Sequence, residues 1–91
     1  MIICHMVLSV DLYDISGLKG RRKIVNSIKD RLKSLNLSLL DISGSYPKEA
    51  ELALVFLAPN QAFSAQYRQK IEDILNRYLP EYEFNISYEE I

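Results

Sequence analysis

An unbroken apolar run at residues 52–58, LALVFLA, limits the folds that are open to this chain. The run is far too short to span a bilayer, which needs about 20 apolar residues. Glu51 precedes it and Pro59 stops it, so the run predicts a strand over residues 51–58 that is apolar on both faces. Only one face of such a strand is needed for a core on one side of a sheet.

The remaining periodicities predict three more strands and two helices. Apolar residues alternate with polar ones at residues 4–13 and 82–88, and a short apolar segment spans residues 36–42. Helical spacing predicts a first helix over residues 16–35 and a second helix that Asn60 caps.

The predicted order is therefore βαββαβ with short connections. This order favours the α+β class, as a ferredoxin-like split βαβ sandwich with a four-stranded antiparallel sheet and two helices on one face. Strands one and three then lie in the middle of the sheet. With 48% hydrophobic residues, the 91-residue chain is expected to form a single domain over residues 1–91, burying roughly 60–65% of its unfolded surface.

The first predicted helix is the most unusual part of the sequence. It holds seven of the eleven Lys and Arg residues, and residues 15–33 contain one acid, Asp30. Residues 34–91 hold four bases and nine acids, so the net charge of −1 conceals a strong polarity. One side of the helix is apolar: Leu18, Ile24, Val25, Ile28, Leu32 and Leu35. The opposite side forms a stripe of Lys19, Arg22, Asn26, Lys29 and Lys33.

The helix start predicts an anion site. Ser16 can cap the helix, and the free backbone N–H groups of the first helical turn point into a cluster of bases that includes Lys19 and Lys23. Arg21 falls on the apolar side, which requires either a first turn that overhangs the core or a partner for its charge. The predicted RNA or anion contacts are Lys19, Arg21, Arg22, Lys23, Lys29 and Lys33. The alternative is a solvated helix face whose cations pair weakly with acids elsewhere.

The third strand predicts a second surface. If Leu52, Leu54 and Phe56 face the helices, the alternate residues of the same strand point to the other face of the sheet, which is exposed to water. These are Ala53, Val55 and Leu57, with Val7 and Tyr13 as possible neighbours. An exposed apolar patch marks a contact surface, and the expected partner is a second copy of the chain.

Residues for catalysis are few. Cys4 and His5 are adjacent on a strand, so they point to opposite faces and cannot act as a pair. No further Cys or His exists to complete a zinc site, and no Gly-rich phosphate loop is present. We therefore expect no enzymatic activity, no metal and no cofactor. The unpaired cysteine and the absence of a signal-peptide pattern predict a cytoplasmic location.

Three families share this element order, and the signature of one, the Gly-rich turn followed by a Phe-Arg pair of acylphosphatases, is absent. An RNA-recognition motif stacks bases on aromatic residues of its third strand, where this chain offers only Phe56. An ACT-type regulatory domain has a first loop of the form D-x-P-G-L, which residues 14–18, DISGL, resemble without the proline. A small-molecule sensor of the ACT type, and a purely structural dimerisation module, are the alternative functions.

The whole chain most resembles the YlxP-like family of small bacterial proteins, whose function is unknown. The resemblance rests on Leu18-Lys19 followed by Arg21-Arg22, on residues 27–32, SIKDRL, and on residues 36–38 with Asp41. It implies a ferredoxin-like fold. Family members tend to be encoded near translation factors and a ribosome maturation factor, which implies ribosomal RNA or a ribosomal particle as the partner.

Overall fold

The computed structural model describes residues 1–91 and contains the six predicted elements in the predicted order. The elements are β1 (Ile2–Asp11), α1 (Gly17–Leu32), β2 (Ser38–Asp41), β3 (Glu49–Ala58), α2 (Gln61–Tyr78) and β4 (Glu83–Glu90). The prediction of a ferredoxin-like α+β sandwich is confirmed.

The four strands form one antiparallel sheet in the order β2-β3-β1-β4. β1 and β3 are central, and their register places Cys4 opposite Phe56 and Asp11 opposite Glu49. Residues that are opposite one another share a face of the sheet. The register therefore fixes which side chains meet the helices and which form the open face.

The core lies between one face of the sheet and the two helices. The sheet contributes buried residues at alternate positions, which include Met6, Leu8, Leu52, Leu54 and Phe56. The helices contribute Val25, Ile28, Leu32, Ile71 and Leu75. Both helices pack on this single face, so the other face of the sheet has no covering element. Neither helix is long and apolar enough to cross a membrane.

The first helix is shorter than predicted and its first turn is less buried. It ends at Leu32, because the N–H of Leu35 donates to the carbonyl of Leu32 at 3.0 Å in a turn that leads back to the sheet. Leu18, predicted on the apolar side, is 50% exposed. Ile15 packs against the core at this end instead, close enough that a Cβ on Gly20 would lie 2.7 Å from its Cγ2.

Candidate nucleic-acid interface

The buried side of α1 determines which way its bases point. Val25, Ile28 and Leu32 are almost fully buried against the sheet, and Ile24 is half-buried. Because an α-helix turns 100° per residue, these positions orient the opposite side outward.

The outer side of α1 carries the predicted stripe. All five of its members are exposed: Lys19, Arg22, Asn26, Lys29 and Lys33. At 1.5 Å per residue, the stripe extends about 21 Å from Lys19 to Lys33. Lys23 is also exposed and adds a further positive charge near the helix start.

No acid neutralises this stripe through an ion pair. The ion pair of the chain joins Arg68 and Glu90 at 3.5 Å, on α2 and β4. Arg31 lies on the side that faces α2, with its guanidinium 4.1 Å from the centre of the Tyr78 ring. The stripe therefore presents its positive charges to solvent.

Arg21 has a different position from the other bases. Its Nη1 donates hydrogen bonds to three carbonyl oxygens of the segment that joins β2 to β3: Gly44 at 2.7 Å, Tyr46 at 2.9 Å and Glu49 at 3.3 Å. The sequence left two explanations for an arginine on this side, and the structure shows that the charge has partners. Arg21 ties the connecting segment to α1 and is not free to surround a phosphate.

Lys29 lies within the electrostatic reach of one carboxylate. Asp41, at the end of β2, has a pKa below its ordinary value of 3.8. Burial raises this pKa, but the hydrogen bonds from Ser43 and the positive charges of Arg21 and Lys29 outweigh that effect. Lys29 itself is exposed and forms no ion pair with Asp41.

The start of α1 is open to an anion, although Ser16 does not cap it. Ser16 occupies the cap position in an extended conformation, yet its side chain accepts no hydrogen bond from the first turn. Gly17 follows with φ at +81°, in the left-handed region that favours glycine. The first turn contains no acid. The first-turn N–H groups thus lack a side-chain acceptor.

The open face of the sheet carries the predicted apolar patch and one further exposed apolar residue, from β2. Val55 is 38% and Leu57 57% exposed, and Ala53 is half-buried. Sequence reasoning missed Leu40, which is 65% exposed and lies opposite Ala53. Its place on this face depends on the register of a four-residue strand. Tyr13, a suggested neighbour, instead follows the end of β1, with its ring 6.2 Å from that of Tyr82.

Acidic residues occupy one end of the open face. Asp11 lies between Glu49 and Glu83 in the register of the three strands. Ser9 lies between Glu51 and Asn85 in the row beside it. No group of His, Cys, Asp and Glu in the chain could hold a metal ion.

Cys4 and His5 are on opposite sides of β1, as predicted. Cys4 is fully buried on the core side. His5 lies on the open face, opposite Val55 on one side and Glu89 on the other. The two side chains are therefore separated by the sheet.

A cavity of about 520 Å³ lies between α2 and the edge strand β4. Arg68, Glu72 and Asn76 form its polar wall on α2, and Phe84 and Ile86 are on the strand side. The buried residue Tyr82 lies at the same cavity. Its pKa is raised by burial and, further, by the adjacent carboxylate of Asp14.

Comparisons with known proteins identify the fold and a family. The profile of a family described as "Protein of unknown function (DUF503)" matches residues 3–89, and this match is consistent with the resemblance to the YlxP-like family. No curated protein matches the chain.

Several solved structures share the fold. A dimeric ferredoxin-like protein from an uncultured marine organism is 9% identical, with a TM-score of 0.60, and the alignment covers 100% of this chain and 96% of that one. The de novo designed protein Foldit4 is 9% identical, with a TM-score of 0.59 and coverage of 98% and 97%. A putative PII-like signaling protein from Thermus thermophilus is 10% identical, with a TM-score of 0.50 and coverage of 98% and 87%. At these identities the likeness extends to the fold alone.

Proposed function

We propose that this chain, which belongs to the DUF503 family of proteins of unknown function, is a non-catalytic accessory protein that binds the phosphates of ribosomal RNA in the cytoplasm. The observation that carries the proposal is the outer side of α1. Lys19, Arg22, Lys29 and Lys33 are exposed there in a single row, and no carboxylate pairs with them.

The row fits a polyanion because its charges are spaced along about 21 Å of helix. Lys19, Arg22, Lys29 and Lys33 contact phosphates along the backbone, and the positive charge of Lys29 also lowers the pKa of Asp41. Lys23 and the uncapped N–H groups of the first turn bind a phosphate at the helix start. Each neutralised phosphate releases counterions, which favours association at low salt.

The choice of a ribosomal partner rests on the resemblance to the YlxP-like family. Phosphate contacts carry no sequence information, so the exposed bases of α1 select an RNA by its charge and not by its sequence. We expect weak base specificity, because the row from Lys19 to Lys33 contains no aromatic residue on which a base can stack.

Co-sedimentation with ribosomal subunits tests this function. The parent protein is expected to travel with subunits in a sucrose gradient at low salt and to dissociate at high salt. An Arg22→Gln/Lys33→Gln variant is expected to remain at the top of the gradient. A Lys70→Gln/Arg77→Gln variant removes the same charge from exposed positions of α2 and is the matched control. Equal sedimentation of both variants would refute the role of α1.

The same protein is proposed to be a homodimer that associates through the open face of its sheet. Support comes from the exposed side chains of Val55, Leu57 and Leu40, which form an apolar surface with no covering element. Two ferredoxin-like proteins with this fold are described as dimeric. The basic row of α1 lies on the opposite layer, so dimerisation leaves it accessible to RNA.

A second candidate function is small-molecule sensing, and the cavity between α2 and β4 favours it. Glu72 and Asn76 offer polar groups beside the apolar side chains of Phe84 and Ile86, and Arg68 on the same wall is paired with Glu90. A ligand that binds only the folded state raises the melting temperature. A thermal-shift screen of amino acids and related metabolites tests this candidate, which predicts at least one stabilising compound. If none stabilises the protein, the cavity has no role in sensing these compounds.

A further inference from the structure

The open face of the sheet is divided into two ends of different chemistry. The apolar end consists of Ile3 and Val7 from β1, with His5 between them, Ala53, Val55 and Leu57 from β3, and Leu40 from β2. The acidic end has a row of three carboxylates that are neighbours across the strands, Glu49, Asp11 and Glu83. We call the first group the apolar end and the second the carboxylate row.

We propose that a second copy of this chain binds the open face with the two-fold axis running across the strands, close to Val55. The two apolar ends then overlap, and the two carboxylate rows lie at opposite ends of the dimer. This inference rests on the homodimer in the proposed function and adds the geometry of its interface.

The sheet edges are poor alternatives for self-association. Antiparallel pairing of β4 with its own copy about Ile86 would place Glu83 of each protomer opposite Glu89 of the other, and like charges in that position are destabilising. The other edge strand, β2, is only four residues long. The apolar end of the open face is therefore the surface best suited to a second copy.

The carboxylate row decides between the two simple orientations of a face-to-face dimer. A two-fold axis parallel to the strands leaves each residue and its copy in the partner at the same height along the strands. The two carboxylate rows would then face each other. A two-fold axis perpendicular to the strands reverses their direction in the partner. Each carboxylate row then lies beyond the apolar end of the other protomer, in solvent. Like-charge contacts in an interface oppose association, so the second orientation is favoured. With the axis across the strands at the level of Val55, Glu89 on the edge strand β4 lies opposite its own copy, so this orientation brings together one exposed carboxylate of each protomer where the other brings together three.

The two orientations differ in one distance that can be measured. Glu49 lies six residues from Val55 along β3, which is about 20 Å at 3.4 Å per residue. With the axis across the strands near Val55, the two Glu49 residues are about 40 Å apart. With the axis along the strands, they are separated mainly by the spacing of about 10 Å between packed sheets, and by less than about 20 Å in total.

Spin labels on a Glu49→Cys variant report the distance between the two copies of residue 49 in the dimer, measured by double electron–electron resonance. The native Cys4 is fully buried on the other face of β1, so the label attaches to the engineered site. Asp11 and Glu83 remain to oppose the alternative orientation. A mean distance above about 30 Å is expected, and a shorter one would overturn the proposal.

Neutralising the carboxylate row provides a second test of the orientation, in which the dimer dissociation constant is measured. The variant Asp11→Asn/Glu49→Gln/Glu83→Gln is expected to change the dimer dissociation constant at low salt by less than twofold, because the rows lie outside the overlap. Tightening by twofold or more would show that the rows face each other and would overturn the proposed orientation. A parent protein that is monomeric at 200 μM would overturn the use of this face by a second copy. RNA binding is scored separately on α1 variants, so either proposal can fail alone.

Discussion

The guanidinium Nη1 of Arg21 donates a hydrogen bond to the carbonyl oxygen of Tyr46 at 2.9 Å. The same nitrogen also bonds Gly44 and Glu49, so one side chain ties α1 to the segment that joins β2 and β3. The pattern of α1 indicated that Arg21 needs either an overhanging first turn or a partner but did not identify the partner, because the three carbonyls lie 23 to 28 residues away.

Replacing Arg21 is expected to lower stability. Arg21→Gln removes charge-assisted hydrogen bonds and should reduce the free energy of unfolding by roughly 1–2 kcal/mol in urea titrations. The neighbouring Arg22→Gln is the control, since Arg22 is exposed and forms no ion pair, and it should leave stability nearly unchanged. Equal stability of the two variants would mean that Arg21 is a solvated base.

The two helix caps should respond differently to alanine. The side chain of Asn60 accepts a hydrogen bond from the N–H of Phe63 at 2.9 Å, so Asn60→Ala should cost about 1 kcal/mol. Ser16 makes no such bond, so Ser16→Ala should cost much less. Thermal and urea unfolding of both variants compare the caps directly, and an equal loss would contradict the difference seen at the two sites.

The lowered pKa of Asp41 predicts a pH dependence of stability. A carboxyl whose pKa is lower in the folded state than in the unfolded state stabilises the fold where it is ionised in both. This contribution is present above the ordinary value of 3.8 and is lost as pH falls through the pKa of the folded state. In Asp41→Asn the contribution is missing at every pH.

Urea titrations between pH 7 and pH 2 measure this effect. The difference in unfolding free energy between the parent and Asp41→Asn should be largest above about pH 5 and should shrink as the carboxyl is protonated. Asp73→Asn, on the exposed side of α2, is the control, because Asp73 accepts one hydrogen bond, from Gln69 at 2.9 Å, and asparagine keeps an oxygen that can accept it. A difference that stays constant across this range would contradict the assignment to ionised Asp41.

The open face should lose self-association when charge is placed on it. Val55→Lys introduces a cation into the centre of the apolar end and should convert a dimer into a monomer in light scattering. Leu18→Lys is the control, because Leu18 is also exposed and apolar but lies on α1. If both variants keep the mass of the parent, the open face is not the interface.

The predictions from sequence succeeded where the signal was local. Alternation along residues 4–13 and the cap at Asn60 depend on near neighbours, and both the strand and the cap are present. Val55 and Leu57 were predicted on the open face because a strand alternates its side chains, and both are there.

Interactions between distant segments were outside the reach of sequence. Leu18 fits the helical pattern of apolar residues, yet Ile15 packs against the core at that end of α1 and leaves Leu18 exposed. Leu40 joins the open face only through the register of β2 with β3. The carboxylate row likewise comes from three separate strands, so no stretch of sequence displays it.

The salt dependence of RNA binding shows whether the basic row of α1 contacts phosphates. Fluorescence anisotropy with a labelled ribosomal RNA fragment, titrated between 50 and 300 mM salt, gives the slope of log affinity against log salt. Four phosphate contacts predict a slope of roughly −3 to −4 for the parent. The variant with Gln at Lys19, Arg22, Lys29 and Lys33 should bind too weakly to measure while remaining folded, and Lys70→Gln/Arg77→Gln should keep the parent slope. A parent with no salt-dependent binding, or a fourfold variant that binds as well as the parent, would show that the basic row of α1 is only a solvated helix face.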